Sequence, residues 1–119
     1  MIYQILFGDS VIGSSWLESR DNGIAVAGGR FSPEPGYLAV QSVFKKFWEE
    51  LPELSGGDPG AVLLTEYCRA RDTLDMRLRD ASGILYETSW IHIIDGGDDA
   101  PWKVTMHIPD SRFWMTRKV

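Results

Sequence analysis

His92 and His107 are the only histidines of the chain, and Asp95, Asp98 and Asp99 lie close to them in sequence. Imidazoles and carboxylates together are the raw material of a metal site or an acid–base pair. Zinc sites, however, need ligands at short regular spacings, and neither an HxH nor an HExxH pattern occurs here. Asp95-Gly96-Gly97-Asp98-Asp99 has the oxygen-rich look of a calcium loop but lacks the EF-hand order and its bidentate glutamate. It reads as an acidic, glycine-rich hairpin tip. Gly56-Gly57-Asp58-Pro59-Gly60 carries no Lys-Ser/Thr and cannot be a phosphate-binding P-loop. Cys68 is the single cysteine, with no nearby histidine to activate it. No catalytic residue, metal ligand set or cofactor is assigned, and the balance favours binding over catalysis.

The other residues that could do chemistry are acids and indoles. Glu49, Glu50 and Glu53 crowd the expected C-terminal end of a helix, where the backbone dipole already concentrates negative potential. Asp58 follows closely. Local rules broken in this way are sometimes kept for function, and the four acids form a candidate docking patch for a cationic surface. Of five tryptophans, Trp16, Trp48 and Trp90 have core positions waiting for them. Trp102 and Trp114 sit at a loop edge and near the C-terminus, where indoles serve as interface anchors.

These residues must be positioned by short elements. Apolar runs of period two, separated by turn signals, predict strands at Ile2–Phe7, Val11–Leu17, Thr73–Arg79 and Lys103–Ile108. Asn22-Gly23 predicts a two-residue hairpin loop that pairs Asp21 with Ile24, Ser19 with Val26, and Trp16 with Gly29. The indole would then cover a strand glycine; the alternative reading of Gly28-Gly29 is a bulge. Asp80-Ala81-Ser82-Gly83 predicts a three-residue loop with Gly83 left-handed, pairing Leu78 with Tyr86, Met76 with Thr88 and Leu74 with Trp90. The core face then runs on through His92 and Ile94, with His107 facing the other way. Ala61–Tyr67 reads as strand, and Arg112–Val119 as a short tail or edge strand.

A single segment has a helical period. In Tyr37–Leu51 the residues Tyr37, Val40, Val43, Phe44, Phe47, Trp48 and Leu51 fall within an arc of about 140°. Lys45–Glu49 and Lys46–Glu50 are spaced as i,i+4 pairs, and Pro52 stops the helix. The expected fold is α+β: an antiparallel sheet of about six or seven strands with one amphipathic helix, 37–51, packed on one face.

At 119 residues the chain is one domain, 1–119, long enough to bury roughly two-thirds of its unfolded surface. Seventeen acids against twelve bases give a net charge of −5, which argues against general nucleic-acid binding and suits a basic protein partner. No apolar stretch approaches the ~20 residues of a membrane span, so no membrane partner is expected. A lone cysteine and an N-terminus without a basic, apolar leader predict a cytoplasmic protein.

Ile12-Gly13-Ser14-Ser15-Trp16-Leu17-Glu18, followed by Asp21-Asn22-Gly23-Ile24-Ala25-Val26-Ala27-Gly28-Gly29-Arg30-Phe31-Ser32-Pro33, resembles small uncharacterised bacterial proteins. Those share a strand, a glycine turn, a V-A-x-G-x-F-x-P strand and a helix. In size and charge the chain is also similar to toxin-neutralising immunity proteins and phage-encoded inhibitors. That likeness rests on general character and assigns no residue. Together these features predict a protein-binding module, an immunity-like inhibitor of a basic partner, with Glu49, Glu50, Glu53 and Asp58 steering and Trp102 or Trp114 anchoring. The alternatives are a small-molecule-binding domain or small enzyme with a pocket near His92, and a homodimer built through a sheet edge.

Overall fold

The computed structural model describes residues 2–50, 67–97 and 101–115, with side chains in the first helix described as far as Lys45. Among them the chain forms nine strands: β1 (Tyr3–Phe7), β2 (Ser10–Ser15), β3 (Ser19–Asp21), β4 (Val26–Arg30), β5 (Ser32–Pro33), β6 (Met76–Asp80), β7 (Leu85–Tyr86), β8 (Trp90–Ile94) and β9 (Lys103–His107). A 3₁₀ helix at Pro35–Ala39 leads into α1 (Gln41–Glu50). Residues 67–72 are helical and form α2, and α3 spans Ser111–Met115.

The α+β class holds, but the strands divide into two antiparallel sheets rather than one. Five strands run in the order β5-β2-β1-β6-β7, and four in the order β3-β4-β9-β8. The physical reason is visible at the crossings. Phe31 sits between the last residue of β4 and the first of β5, buried, with its N–H bonded to the Trp102 carbonyl at 3.0 Å. The chain pivots there from one sheet to the other. One apolar core serves both: Tyr3, Ile5, Leu78 and Tyr86 come from the five-stranded sheet, and Ala27, Ile91, Ile93, Val104 and Met106 from the four-stranded one. Val40, Phe44, Tyr67 and Phe113 close it from the helices.

The β1–β2 hairpin turns on Gly8-Asp9, with Gly8 at φ 59° in the first loop position, as a type II′ turn requires. Ile5 then faces Gly13 while Leu6 faces Val11, so Ile12 is an extra, bulged residue on β2. A Cβ at Gly13 would lie 2.2 Å from the Phe31 ring, so the buried Phe31 seats against the glycine that leaves it room.

Three expectations are corrected in this frame. At Asn22-Gly23 the register is Asp21↔Val26, Arg20↔Ala27 and Ser19↔Gly28, so the loop has four residues, with Ala25 at φ 55°. Trp16 therefore does not reach Gly29; the Glu18 carboxylate lies over that glycine and accepts the Arg30 N–H at 2.8 Å. At Gly83 the left-handed turn (φ 93°) and the Leu78↔Tyr86 pair are as expected. Beyond Tyr86, however, the chain leaves for the second sheet, so the Met76–Thr88 and Leu74–Trp90 pairs do not form. The crossing also changes the facing of β8. Ile91 and Ile93 enter the core, and Trp90, His92 and Ile94 take the opposite face.

The helices differ as well. Tyr37–Ala39 belongs to the 3₁₀ helix, and α1 starts at Gln41. Of the segment 61–67 expected as strand, only Tyr67 is described, and it is helical. Of the segment 112–119 expected as a tail or edge strand, residues 112–115 belong to α3, which Asp110 caps by accepting the Arg112 N–H at 3.0 Å, and 116–119 lie outside the described residues. Phe113 is then driven into the core against Tyr3 and Tyr86. No helix among the described residues is long and apolar enough to cross a membrane.

Candidate functional site

The outer face of the four-stranded sheet can be read row by row from its register. Asp21, Val26, His107 and Trp90 stand side by side, then Ser19, Gly28, Thr105 and His92, then Arg30, Lys103 and Ile94. His92 and His107 thus share one face, contrary to the expectation of opposite facings. Each has a structural partner. His107 stacks on Trp90 (6.4 Å between centroids, 23° between planes) and its Nδ1 lies 2.9 Å from the Ser89 hydroxyl. His92 shares a hydrogen bond with the Tyr67 hydroxyl. Burial, and after it the Arg71 charge, lowers the His92 pKa to about 4, so the imidazole is neutral at physiological pH. Burial likewise raises the Tyr67 pKa, although the nearby Arg71 opposes it, and the phenol keeps its proton.

Two cavities open on the described surface near these residues, and neither is lined by His92. One, of about 140 Å³, lies between Arg71, Met76, Thr88 and Trp90. The other is an open trough of about 980 Å³ at the β3–β4–β9 end of the sheet. Its lining includes Gly28 and Thr105, the indoles of Trp16 and Trp102, and the charged side chains Glu18, Arg30 and Lys103. Gly28 stands directly between Ser19 and Thr105 in the ladder, and a Cβ there would meet the Val104 carbonyl at 2.7 Å and the Thr105 hydroxyl at 3.2 Å. Trp16 is 58% exposed, although its place in the sequence suggested core.

Arg30 and Lys103 are direct partners across the β4–β9 ladder, both exposed. Like charges in that position repel at a cost of about 0.2–1 kcal/mol. Neither enters any of the ion pairs formed among the described residues, which are Arg71–Asp72, Arg77–Asp75 and Arg112–Asp110. Residue-type patterns in the sequence could not reveal this pair, because the two strands are brought together only by the fold. The exposure of Trp16 was equally hidden.

The residues singled out from the sequence fall in different places. α1 continues through Glu49 and Glu50 with no basic residue in its last turn, so both acids stand at the carbonyl end of the helix. Glu53 and Asp58 lie outside the described residues. Trp102 is half-buried, packed on Phe31 and Tyr37, and donates its indole N–H to the Gly97 carbonyl at 2.9 Å. Trp114 packs on Phe113 and donates to the Ile108 carbonyl at 2.8 Å. Both are tied into the domain rather than presented freely.

Asp95, the first acid of the glycine-rich loop, is 1% exposed. It accepts hydrogen bonds from the Tyr37 hydroxyl and the Gly97 N–H, each at 2.9 Å, which locks the loop onto the 3₁₀ helix. Asp98 and Asp99 lie outside the described residues. Among the described residues no three His, Cys, Asp or Glu side chains gather as a metal site. No family model matches the chain, and comparison with curated proteins and with solved structures returned no match.

Proposed function

We propose that this domain is a protein-binding module, of the inhibitor or immunity type, that engages a basic partner through the acidic end of α1. The observation that carries the reading is the end of that helix. Glu49 and Glu50 occupy its last turn, which holds no basic residue, a placement the helix dipole penalises by about 0.3–1 kcal/mol per charge. A net charge of −5 adds a long-range attraction that speeds encounter with a cationic surface. Trp16 replaces Trp102 and Trp114 as the anchoring indole in this reading, because among the described indoles it is the one presented to solvent.

The test is recovery of partners by the tagged protein from its native cells at low and moderate salt, beside the Glu49→Lys/Glu50→Lys variant. A stoichiometric basic protein that is lost as salt rises, and is not retained by the variant, supports the reading. Equal retention by a variant with an unchanged circular dichroism spectrum removes the acidic helix end from it. Recovery of the bait alone turns the reading towards a homodimer.

A further inference from the structure

We propose that the trough on the four-stranded sheet is a binding site for a small carboxylate ligand bearing a flat apolar group, with Arg30 and Lys103 as its anion-binding pair. This site shares Trp16 with the protein-partner reading but does not depend on that reading.

Charge is the first argument. The domain as a whole carries −5, yet the ionisable residues lining the trough are Arg20, Arg30 and Lys103 against Glu18 and Asp21. With Arg20 counted the lining is one charge positive, on a protein that is acidic as a whole. Direct opposition of Arg30 and Lys103 keeps two cations within reach of one anionic group, since facing Cβ atoms on antiparallel strands stand about 5 Å apart. A carboxylate bound between them would relieve the repulsion and form charge-assisted hydrogen bonds with both.

The acids and the third base narrow the charge of the ligand. Arg20 is engaged elsewhere: its Nε donates to the Leu17 carbonyl at 2.8 Å, and its guanidinium lies over the Phe113 ring at 4.6 Å. Glu18, held by the Arg30 N–H, and Asp21 together match the paired cations in number. What is left suits one negative charge better than two. A carboxylate fits that count, whereas a phosphate monoester, close to two charges at pH 7, does not.

The shape argument concerns the rest of the ligand. Trp16 and Trp102 both line the trough, and Trp16, 58% exposed, presents an indole face that gains from stacking on a flat apolar group. The Ser19 and Thr105 residues flanking Gly28 add hydroxyls to the same row.

Phenylacetate, phenylacetamide and phenyl phosphate separate these terms. Each is titrated into the whole domain at fixed ionic strength, with binding followed by amide and indole N–H shifts in two-dimensional nuclear magnetic resonance. Phenylacetate is expected to move the Arg30 and Thr105 amides and the Trp16 indole saturably. Phenylacetamide at the same concentration is expected to leave them in place. Arg30→Gln and Lys103→Gln, both exposed positions that should keep the dispersed spectrum of the parent, are each expected to weaken phenylacetate at least fivefold. Three results overturn the proposal: no saturable shift with phenylacetate, equal binding of the amide, or tighter binding of phenyl phosphate. Unchanged affinity in both variants also overturns it, by removing the pair from the site.

Discussion

The Asp80 carboxylate ties a hairpin together from inside, and Asp80→Ala measures how strongly. Its Oδ1 accepts from the Ser82 N–H (2.9 Å), the Ser82 hydroxyl (2.7 Å) and the Ile84 N–H (3.0 Å), and its Oδ2 from the Tyr86 hydroxyl (2.7 Å). The residue is 4% exposed. Burial raises its pKa, but the bonds from Tyr86, Ser82 and Ile84 outweigh burial and hold it below the ordinary carboxylate value. Truncation removes the bond that the buried Tyr86 hydroxyl donates, and a bond to a charged acceptor contributes about 1.5–3 kcal/mol. The two turn N–H groups can return to water and add about 0.5 kcal/mol each. The expected loss is about 3 kcal/mol. For 119 residues the unfolding entropy is roughly 250 cal/mol/K, which makes that loss about 12 °C in Tm. Thermal and urea unfolding by circular dichroism provide the assay, with Tyr86→Phe and the double variant completing a cycle whose coupling should exceed about 1 kcal/mol. The sign with pH follows from the lowered folded pKa. Stabilisation by the carboxylate is complete above the unfolded value near 4 and disappears as pH falls through the folded one. The gap between the parent and Asp80→Asn should therefore shrink in acid. A loss under 1 kcal/mol for Asp80→Ala, or a gap to Asp80→Asn that ignores pH, refutes the reasoning.

His92 makes a second pH prediction. Its folded pKa, about 4, lies below the unfolded value of 6.5, so the unfolded chain binds the extra proton first. Stability should fall as pH drops from about 6.5 towards 4, by up to about 1.4 kcal/mol per pH unit; a His92→Gln variant that keeps the parent's slope in urea titrations would rule this out. The glycines offer a contrast between rigid and flexible neighbours. Gly13→Ala drives a Cβ into the Phe31 ring and the Ser32 carbonyl and should cost about 3 kcal/mol in urea unfolding. Gly29→Ala meets only the Glu18 carboxylate, which can swing away at the loss of its bond to the Arg30 N–H, for about 1 kcal/mol; equal costs would show that side-chain mobility does not decide the outcome.

Local chemistry alone determined the parts of this fold whose causes lie within a few residues. Gly83 takes the left-handed position of a three-residue loop because a side chain there would be strained, and the Leu78↔Tyr86 pair follows. Phe44, on the apolar side of α1, reaches the core as its spacing requires, and Val40, the residue before that helix, is buried with it. The α+β class and the antiparallel pairing follow from the same periods. What depended on distant residues was not legible. Asn22-Gly23 invites a two-residue loop, but Glu18 occupies the space over Gly29 and the hairpin closes two residues later on Ala25. The alternation through Tyr86 to Ile94 looks continuous, but the chain changes sheets at residues 87–89, and Ile91 and Ile93 take the core in place of Trp90 and His92. The candidate site belongs wholly to this second kind. Arg30, Lys103 and Trp16 are unremarkable in sequence, and only the β4–β9 ladder sets two cations opposite each other beside an exposed indole. Turns and periods are enforced by backbone sterics and local burial, which a segment carries with it; which strand lies beside which is decided by the shared core of two sheets, to which the whole chain contributes.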